Sequence, residues 1–193
     1  MTPMTGWLLS LPGVLCMQGP ESFSEGDIIA LRDGHLLACW SRFYGGAADN
    51  AQAHIAARVS SVGGRTWGEP FVLQENVGDE NVMSGSFLRE RESRDILLFY
   101  GVKNSTTDMK FHCRRSADEG QSWGEPVVVT ASDVYHVMNN ARVIQLSSGR
   151  ILAPVEWTPE VWSAREHIRT VMFYSDDGGR SWARAPGEVD VPK

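Results

Sequence analysis

Positive charge is scarce in this chain of 193 residues: 18 Lys and Arg stand against 24 Asp and Glu, a formal net charge of −6. No broad cationic field exists to hold a polyanion without sequence preference, so nucleic acid is excluded as an expected partner. Long apolar runs are missing too. The longest, Gly6 to Met17, is broken by Ser10, Pro12 and Gly13, and it falls short of the roughly 20 residues a membrane-crossing helix needs. The same stretch has no Lys or Arg before it and no small-x-small cleavage site after it, which argues against a signal peptide and favours a cytoplasmic location. Cysteine is limited to Cys16, Cys39 and Cys113. An odd count without C-x-x-C spacing suggests neither a disulfide framework nor a zinc site, and buried thiols are the expectation. Leu15, just before Cys16, is too bulky for a lipoprotein cysteine. No metal motif or phosphate loop is visible, and no stretch carries a 3.6-residue apolar period over three turns.

What is present is a repeat in an otherwise ordinary globular composition, 42% hydrophobic and 22% charged. Ser60-Ser-Val-Gly-Gly-Arg-Thr-Trp67, Ser116-Ala-Asp-Glu-Gly-Gln-Ser-Trp123 and Ser175-Asp-Asp-Gly-Gly-Arg-Ser-Trp182 share the template S-x-D-x-G-x-[ST]-W. The tryptophans are 56 and 59 residues apart, near the length of a four-stranded sheet with its turns. The template describes a tight hairpin in which Asp accepts N–H groups of its own turn, Gly takes φ > 0 and Trp anchors the end. Val62 replaces the Asp in the first copy, so that turn is expected to be the loosest.

β-like segments recur in the same order around each box. First strands are expected at Ile28 to Leu31, Ser86 to Leu88 and Val143 to Leu146; second strands at Leu36 to Trp40, Ile96 to Tyr100 and Ile151 to Val155. Third strands follow at Ile55 to Val59, Lys110 to Arg114 and Thr170 to Tyr174. Fourth strands open with Glu69-Pro70 and Glu125-Pro126, and a weaker one lies near Val189. Tandem four-stranded sheets without helices make an all-β chain read as three blades of a β-propeller, at residues 22–75, 76–131 and 132–193, behind a lead-in at 1–21.

Three such boxes, with L-x-D-G-x-L-L-A at Leu31 to Ala38, resemble the BNR/Asp-box sialidase (neuraminidase) superfamily. The resemblance spans roughly residues 22 to 191 and implies a six-bladed propeller, of which this chain covers about the N-terminal half. Half a ring leaves two blade faces uncovered. The missing blades belong either to a longer protein or to a second copy of the chain; truncation is favoured, because Trp7 to Leu11 reads as an outer strand closing a last blade.

Strand direction puts the first-to-second turns and the boxes on one face, called lower. The long second-to-third loops (41–54, 101–108, 156–168) and the inter-blade loops (74–83, 130–139) fall on the upper face, where sites usually lie. Aligning blades on Leu31, Leu88 and Leu146 sets Glu25, Val82 and Asn140 in one row near the axis and Asp27, Ser84 and Arg142 in another. Glu25 and Asp27, two residues apart on a strand, leave on the same side. They form either an acid/base or sugar-binding pair, or a solvated strand start with an inter-blade ion pair; Arg142 can clamp a carboxylate through two hydrogen bonds. His136, Asn139, Asn140, Glu80, Asn81, Ser84, Lys103 and Asn104 are further polar groups able to bind sugar hydroxyls, with Tyr44, Tyr135 and Trp157 available for stacking.

The resemblance implies glycoside hydrolysis of the exo-sialidase type on glycans or sialosides, without an organic cofactor. It assigns the acid/base role to an Asp in the loop ahead of the first box, which here is Asp49, among Gly45, Gly46, Ala47 and Ala48. It also implies an arginine at the start of the first strand, where this chain has Glu25-Gly26-Asp27; Arg42 is the nearby candidate to replace it, or it packs on Phe43 and Tyr44. The family's nucleophilic tyrosine, its glutamate partner and two further arginines come from later blades. The alternative is a non-catalytic glycan-binding or protein-interaction propeller.

Overall fold

The computed structural model describes residues 22–164 and 166–190, all strand, turn and loop with no helix. The expected closing strand at Trp7 to Leu11 and Cys16 lie outside the described residues. Strands β1 (Ser22–Ala30), β2 (Leu36–Phe43), β3 (Ala53–Ser60) and β4 (Phe71–Gln74) pair in that order as an antiparallel sheet. β5 (Asn81–Arg89), β6 (Ile96–Lys103), β7 (Met109–Ser116) and the short β8 (Val127–Val128) repeat the pattern. In the third blade the first strand is split: β9 (Tyr135–Val137) and β10 (Ile144–Gln145) both pair with β11 (Ile151–Thr158), followed by β12 (Arg169–Ser175) and β13 (Ala183–Val189). One parallel pair, Met109 with Tyr135, stitches the second blade to the third.

Burial explains the sequence pattern. β6, Ile-Leu-Leu-Phe-Tyr-Gly-Val-Lys, is buried at every residue because a blade covers each of its faces. Ile96, Leu98, Tyr100 and Val102 pack with Leu37, Cys39, Ile55 and Ala57 toward the first blade. Leu97 and Phe99 pack with Phe111, Ile151, Ala153 and Phe173 toward the third. β2 instead alternates: Leu37, Cys39, Ser41 and Phe43 are buried, while Leu36, Ala38, Trp40 and Arg42 are half-buried on the outer face. The cysteines behave as expected, with Cys39 and Cys113 free and buried; burial pushes the Cys113 thiol up to about 12, so neither is a ready nucleophile.

Register corrects one alignment. Leu36, Ile96 and Ile151 each pair with a box serine, Ser60, Ser116 and Ser175, and their other partners are Ala30, Arg89 and Gln145. Leu31 and Leu146 therefore correspond to Glu90, not to Leu88, because the turn from Glu90 to Asp95 is one residue longer than those from Leu31 to His35 and Leu146 to Arg150. Ser84 takes the place of Glu25, and Ser86 that of Asp27. Glu25 and Ser84 share a left-handed backbone, φ 47° and 58°, each at a break in strand register.

The boxes form the expected turns. Asp118 accepts from Ser122 N (2.8 Å), Ser122 Oγ (2.5 Å) and Ser116 Oγ (2.8 Å), and Ser116 Oγ accepts from Gly120 N. Asp177 repeats this with Ser181 and Ser175. In the first box only Ser60 Oγ serves, taking Gly64 N at 2.9 Å and Val62 N at 3.4 Å. Trp182 meets Phe99 edge-on at 5.7 Å and Trp123 stacks on Phe87 at 6.5 Å, tying the turns to the core. Glu119 is left-handed (φ 62°) where the other boxes have Gly63 and Gly178. Its two carboxylate oxygens accept a bidentate pair of hydrogen bonds from Arg89, each 2.8 Å, and one of them also accepts from Arg32 N, which compensates by clamping the first two blades.

Val62→Asp restores the missing carboxylate, and it is expected to stabilise by about 1 kcal/mol and raise the melting temperature by about 2–4 °C. Hydrogen bonds hold Asp118 down to about 2 from 3.8. A depressed folded pKa gives stability that is present above the ordinary aspartate range and lost as pH falls toward the folded value. The gain should therefore be full at neutral pH and absent near pH 2, which melting curves of both proteins at the two pH values check.

Candidate functional site

Antiparallel pairing carries the ends of β2, β6 and β11 and the starts of β5 and β9 to the upper face, where five segments from three blades meet. Asp49 lies in the β2–β3 loop with its side chain 47% exposed. Its Oδ2 accepts from Lys103 Nζ at 2.7 Å, and its carbonyl accepts from Asn81 Nδ2 at 2.8 Å. Asn81 also donates to Ala51 O, Gln52 accepts from Asn76, and Gln52 Nε2 donates to Asp79 O. The glycine-rich loop is thus tied to the β4–β5 connection. Gly78 is needed there, since a Cβ would stand 2.6 Å from the Lys103 carbonyl and 2.8 Å from that of Asn81.

Lys103 is the last residue of β6, on the same face as Leu97 and Phe99, and its side chain is fully buried. Besides Asp49, its ammonium faces Glu80 at 3.6 Å, the Trp162 ring at 4.2 Å and the Tyr135 ring at 5.6 Å. A buried cation needs such matching, because stripping its water costs several kcal/mol. Tyr135, buried at the start of β9, has its hydroxyl pushed up by burial first, then by the charges of Asp49, Glu80, Glu166 and Glu25. Glu25 in turn accepts from Ser84 Oγ at 2.6 Å. Asp49, Glu80, Glu25, Lys103 and Tyr135 are therefore one electrostatic group.

Other sequence candidates lie elsewhere. Both oxygens of Asp27 are taken by backbone N–H groups, Phe87 at 2.8 Å and Ile28 at 2.7 Å. It tethers the first blade to the second; burial, partly offset by these bonds, raises its carboxyl pKa. His136 is 1% exposed. Its Nδ1 meets the Met109 carbonyl at 3.1 Å and its Nε2 meets Ser132 Oγ at 3.0 Å. A carbonyl only accepts, so Nδ1 carries the proton and Nε2 accepts, leaving no ring nitrogen for a sugar. The expectation of His136 as a sugar ligand is corrected to an inter-blade tie, and burial lowers its pKa. Asn140 Nδ2 donates to Gly26 O, joining third and first blades. Arg42 sits on the outer face of the first blade opposite His54, not on the face toward Asp49. Exposed Asn139 and Arg142 line a separate cleft of about 130 Å³ with Pro154, Glu156 and Thr170. No hydrogen bond or ion pair among the described residues joins Arg142 to Asp49 or Glu25.

Of the stacking candidates, Tyr44 is 44% exposed beside His54, whereas Trp157 packs against the core under Arg169. Asn104 bridges Asp79 N and Asp108. Sequence reasoning missed Trp162 and Glu166; their one signal was a tryptophan in the upper loop at 156–168. Among the described residues no group of three or more His, Cys, Asp or Glu is placed to hold a metal ion.

Comparison with known proteins supports the fold described above. A family model described as a BNR repeat-like domain matches residues 34–189. A sialidase of Paraclostridium sordellii is 27% identical over 90% of this chain and 48% of its own length, so the chain spans about half of that curated relative. A protein of unknown function from Dyadobacter fermentans superposes with TM-score 0.73 at 15% identity, covering 90% of this chain and 56% of its own. Trypanosoma rangeli sialidase, in complex with the inhibitor DANA, does so with TM-score 0.68 at 21% identity, covering 88% and 31%. With its box turns, radial sheets and matched family model, the chain belongs to the BNR repeat-like domain family, and its fold is part of a β-propeller like that of the sialidases it superposes on.

Proposed function

We propose that the protein is a glycoside hydrolase of the exo-sialidase type, acting on terminal sialic acid of glycans through the upper mouth, with Asp49 as acid/base. The observation that carries this reading is the Asp49 carboxylate itself, half-exposed in the mouth and fixed by a fully buried lysine. A group that moves a proton must reach the substrate and hold one geometry, and Asp49 meets both conditions. Glu25 and Glu80, flanking Tyr135, are the carboxylates suited to orient sugar hydroxyls; Asp27, with its oxygens engaged, and Arg142, in its own cleft, are not assigned to the reaction. Further blades, from the rest of a longer protein or from a second copy, complete the ring and supply the remaining groups.

One observation favours a second reading, a glycan-binding propeller without turnover: the stretch where the family carries its first arginine reads Glu25-Gly26-Asp27, with Glu25 accepting from Ser84 Oγ and Asp27 from Phe87 N–H. Hydrolysis of a fluorogenic sialoside by the full-length protein separates the two. Turnover lost in Asp49→Asn supports the hydrolase; sialoside binding without turnover supports the binder.

A further inference from the structure

We infer that Lys103 is a positioning residue for Asp49 and that Trp162 is the cover that keeps water from the Lys103 ammonium; this rests on the hydrolase reading above for its catalytic consequence, though not for its geometry. The face of β6 that carries Leu97 and Phe99 is otherwise a place for apolar side chains. Yet at its upper end stands an ammonium, fully buried and matched on every side: Asp49 Oδ2 at 2.7 Å, Asp49 O at 3.4 Å, Glu80 Oε2 at 3.6 Å and two aromatic rings. Among the described residues Lys103 alone bonds the Asp49 carboxylate, so it sets the direction that carboxylate points. Asn81 also holds the loop backbone, through Asp49 O and Ala51 O, so loop order does not rest on Lys103 alone.

The cover is built differently from the core. Trp162 is 57% exposed, and its backbone is left-handed at φ 61°, a strain that a non-glycine residue adopts only where neighbours enforce it. Glu166 Oε2 accepts from Trp162 N at 2.7 Å, and Val161 N donates to Thr106 O at 2.9 Å. One indole face lies on the ammonium while the rest meets solvent. A cation over an indole at this distance is attracted, and excluding water strengthens the ion pair beneath. Swinging the ring away breaks one contact and leaves the core intact.

The chain has three lysines, Lys103, Lys110 and Lys193, so labelling by an amine-acetylating reagent, read by peptide mass spectrometry on the full-length protein, resolves each one. Lys110, 28% exposed at its side chain, is the internal reference. Lys103 should acetylate at least about tenfold more slowly than Lys110 in the wild type, approach it in W162A, and remain shielded in W162F, which keeps a ring. K103M should fold, since Asp49 and Glu80 keep solvent access at 47% and 24%. It should lower kcat about tenfold or more while leaving KM within about threefold, because aim is lost and binding is not. Equal acetylation of Lys103 and Lys110 in the wild type, or unchanged kcat in K103M, would overturn the inference. A wild type that turns over no sialoside while Lys103 stays shielded until W162A contradicts the hydrolase reading and supports the Trp162 cover over Lys103.

Discussion

Phe99→Ala is expected to destabilise the protein by about 3–5 kcal/mol, lowering the melting temperature by roughly 10 °C or more. Phe99 is fully buried in the middle of β6, the strand sandwiched between two blades. Its ring meets Trp182 of the third box edge-on at 5.7 Å and belongs to the cluster with Leu97, Phe111, Ile151, Ala153 and Phe173. Truncation removes the ring's transfer energy, opens a void and leaves Trp182 without its partner. Collapse into the void is resisted because antiparallel ladders fix β6 on both sides. Urea unfolding of wild type and variant measures the difference; a loss under about 1 kcal/mol would mean that the seam between second and third blades is not closed as described.

Asp49→Asn is expected to reduce kcat for a sialoside by about 10²–10⁴-fold, equivalent to roughly 3–5 kcal/mol of barrier. The substitution is isosteric, and its amide oxygen can still accept from Lys103 Nζ, so the loop should keep its place. What disappears is a group that can gain and release a proton at the mouth. The effect should therefore fall on kcat, with the melting temperature nearly unchanged. Matched melting curves and steady-state kinetics of the full-length protein give both numbers. A variant that loses activity only in step with its folded fraction would assign Asp49 a structural role.

Much of this fold is legible in the sequence because its signals are local. The box turns close on their own Ser and Asp side chains, and the uninterrupted apolar run of β6 announces a strand covered on both faces. First strands are harder. Their upper halves, Glu25-Gly-Asp27 and Ser84-Gly-Ser86, look like solvated strand starts, yet the partners are on neighbouring blades: Ser84 Oγ to Glu25, Phe87 N to Asp27, Ala141 N to Ser86 Oγ. Periodicity sees only the chain's own sheet. The site divides in the same way. Asp49 follows from its loop and from resemblance, whereas Lys103 reads as one polar residue among many until β6 is seen to extend to it. The charge on Lys103 acquires meaning only from carboxylates 23 and 54 positions away in sequence, Glu80 and Asp49. His136 shows the converse, a ligand by residue type that folding turns into an inter-blade tie.

The central claim is that loops from three blades converge on Asp49 to form the glycan-binding mouth. Hydrogen exchange of the full-length protein, with and without saturating sialyllactose, tests it most directly. The account predicts slowed exchange confined to residues 44–52, 75–80, 104–108 and 159–168. Slowing confined to the box turns and the 31–35 and 90–95 turns of the opposite face, or no change at saturation, would contradict it.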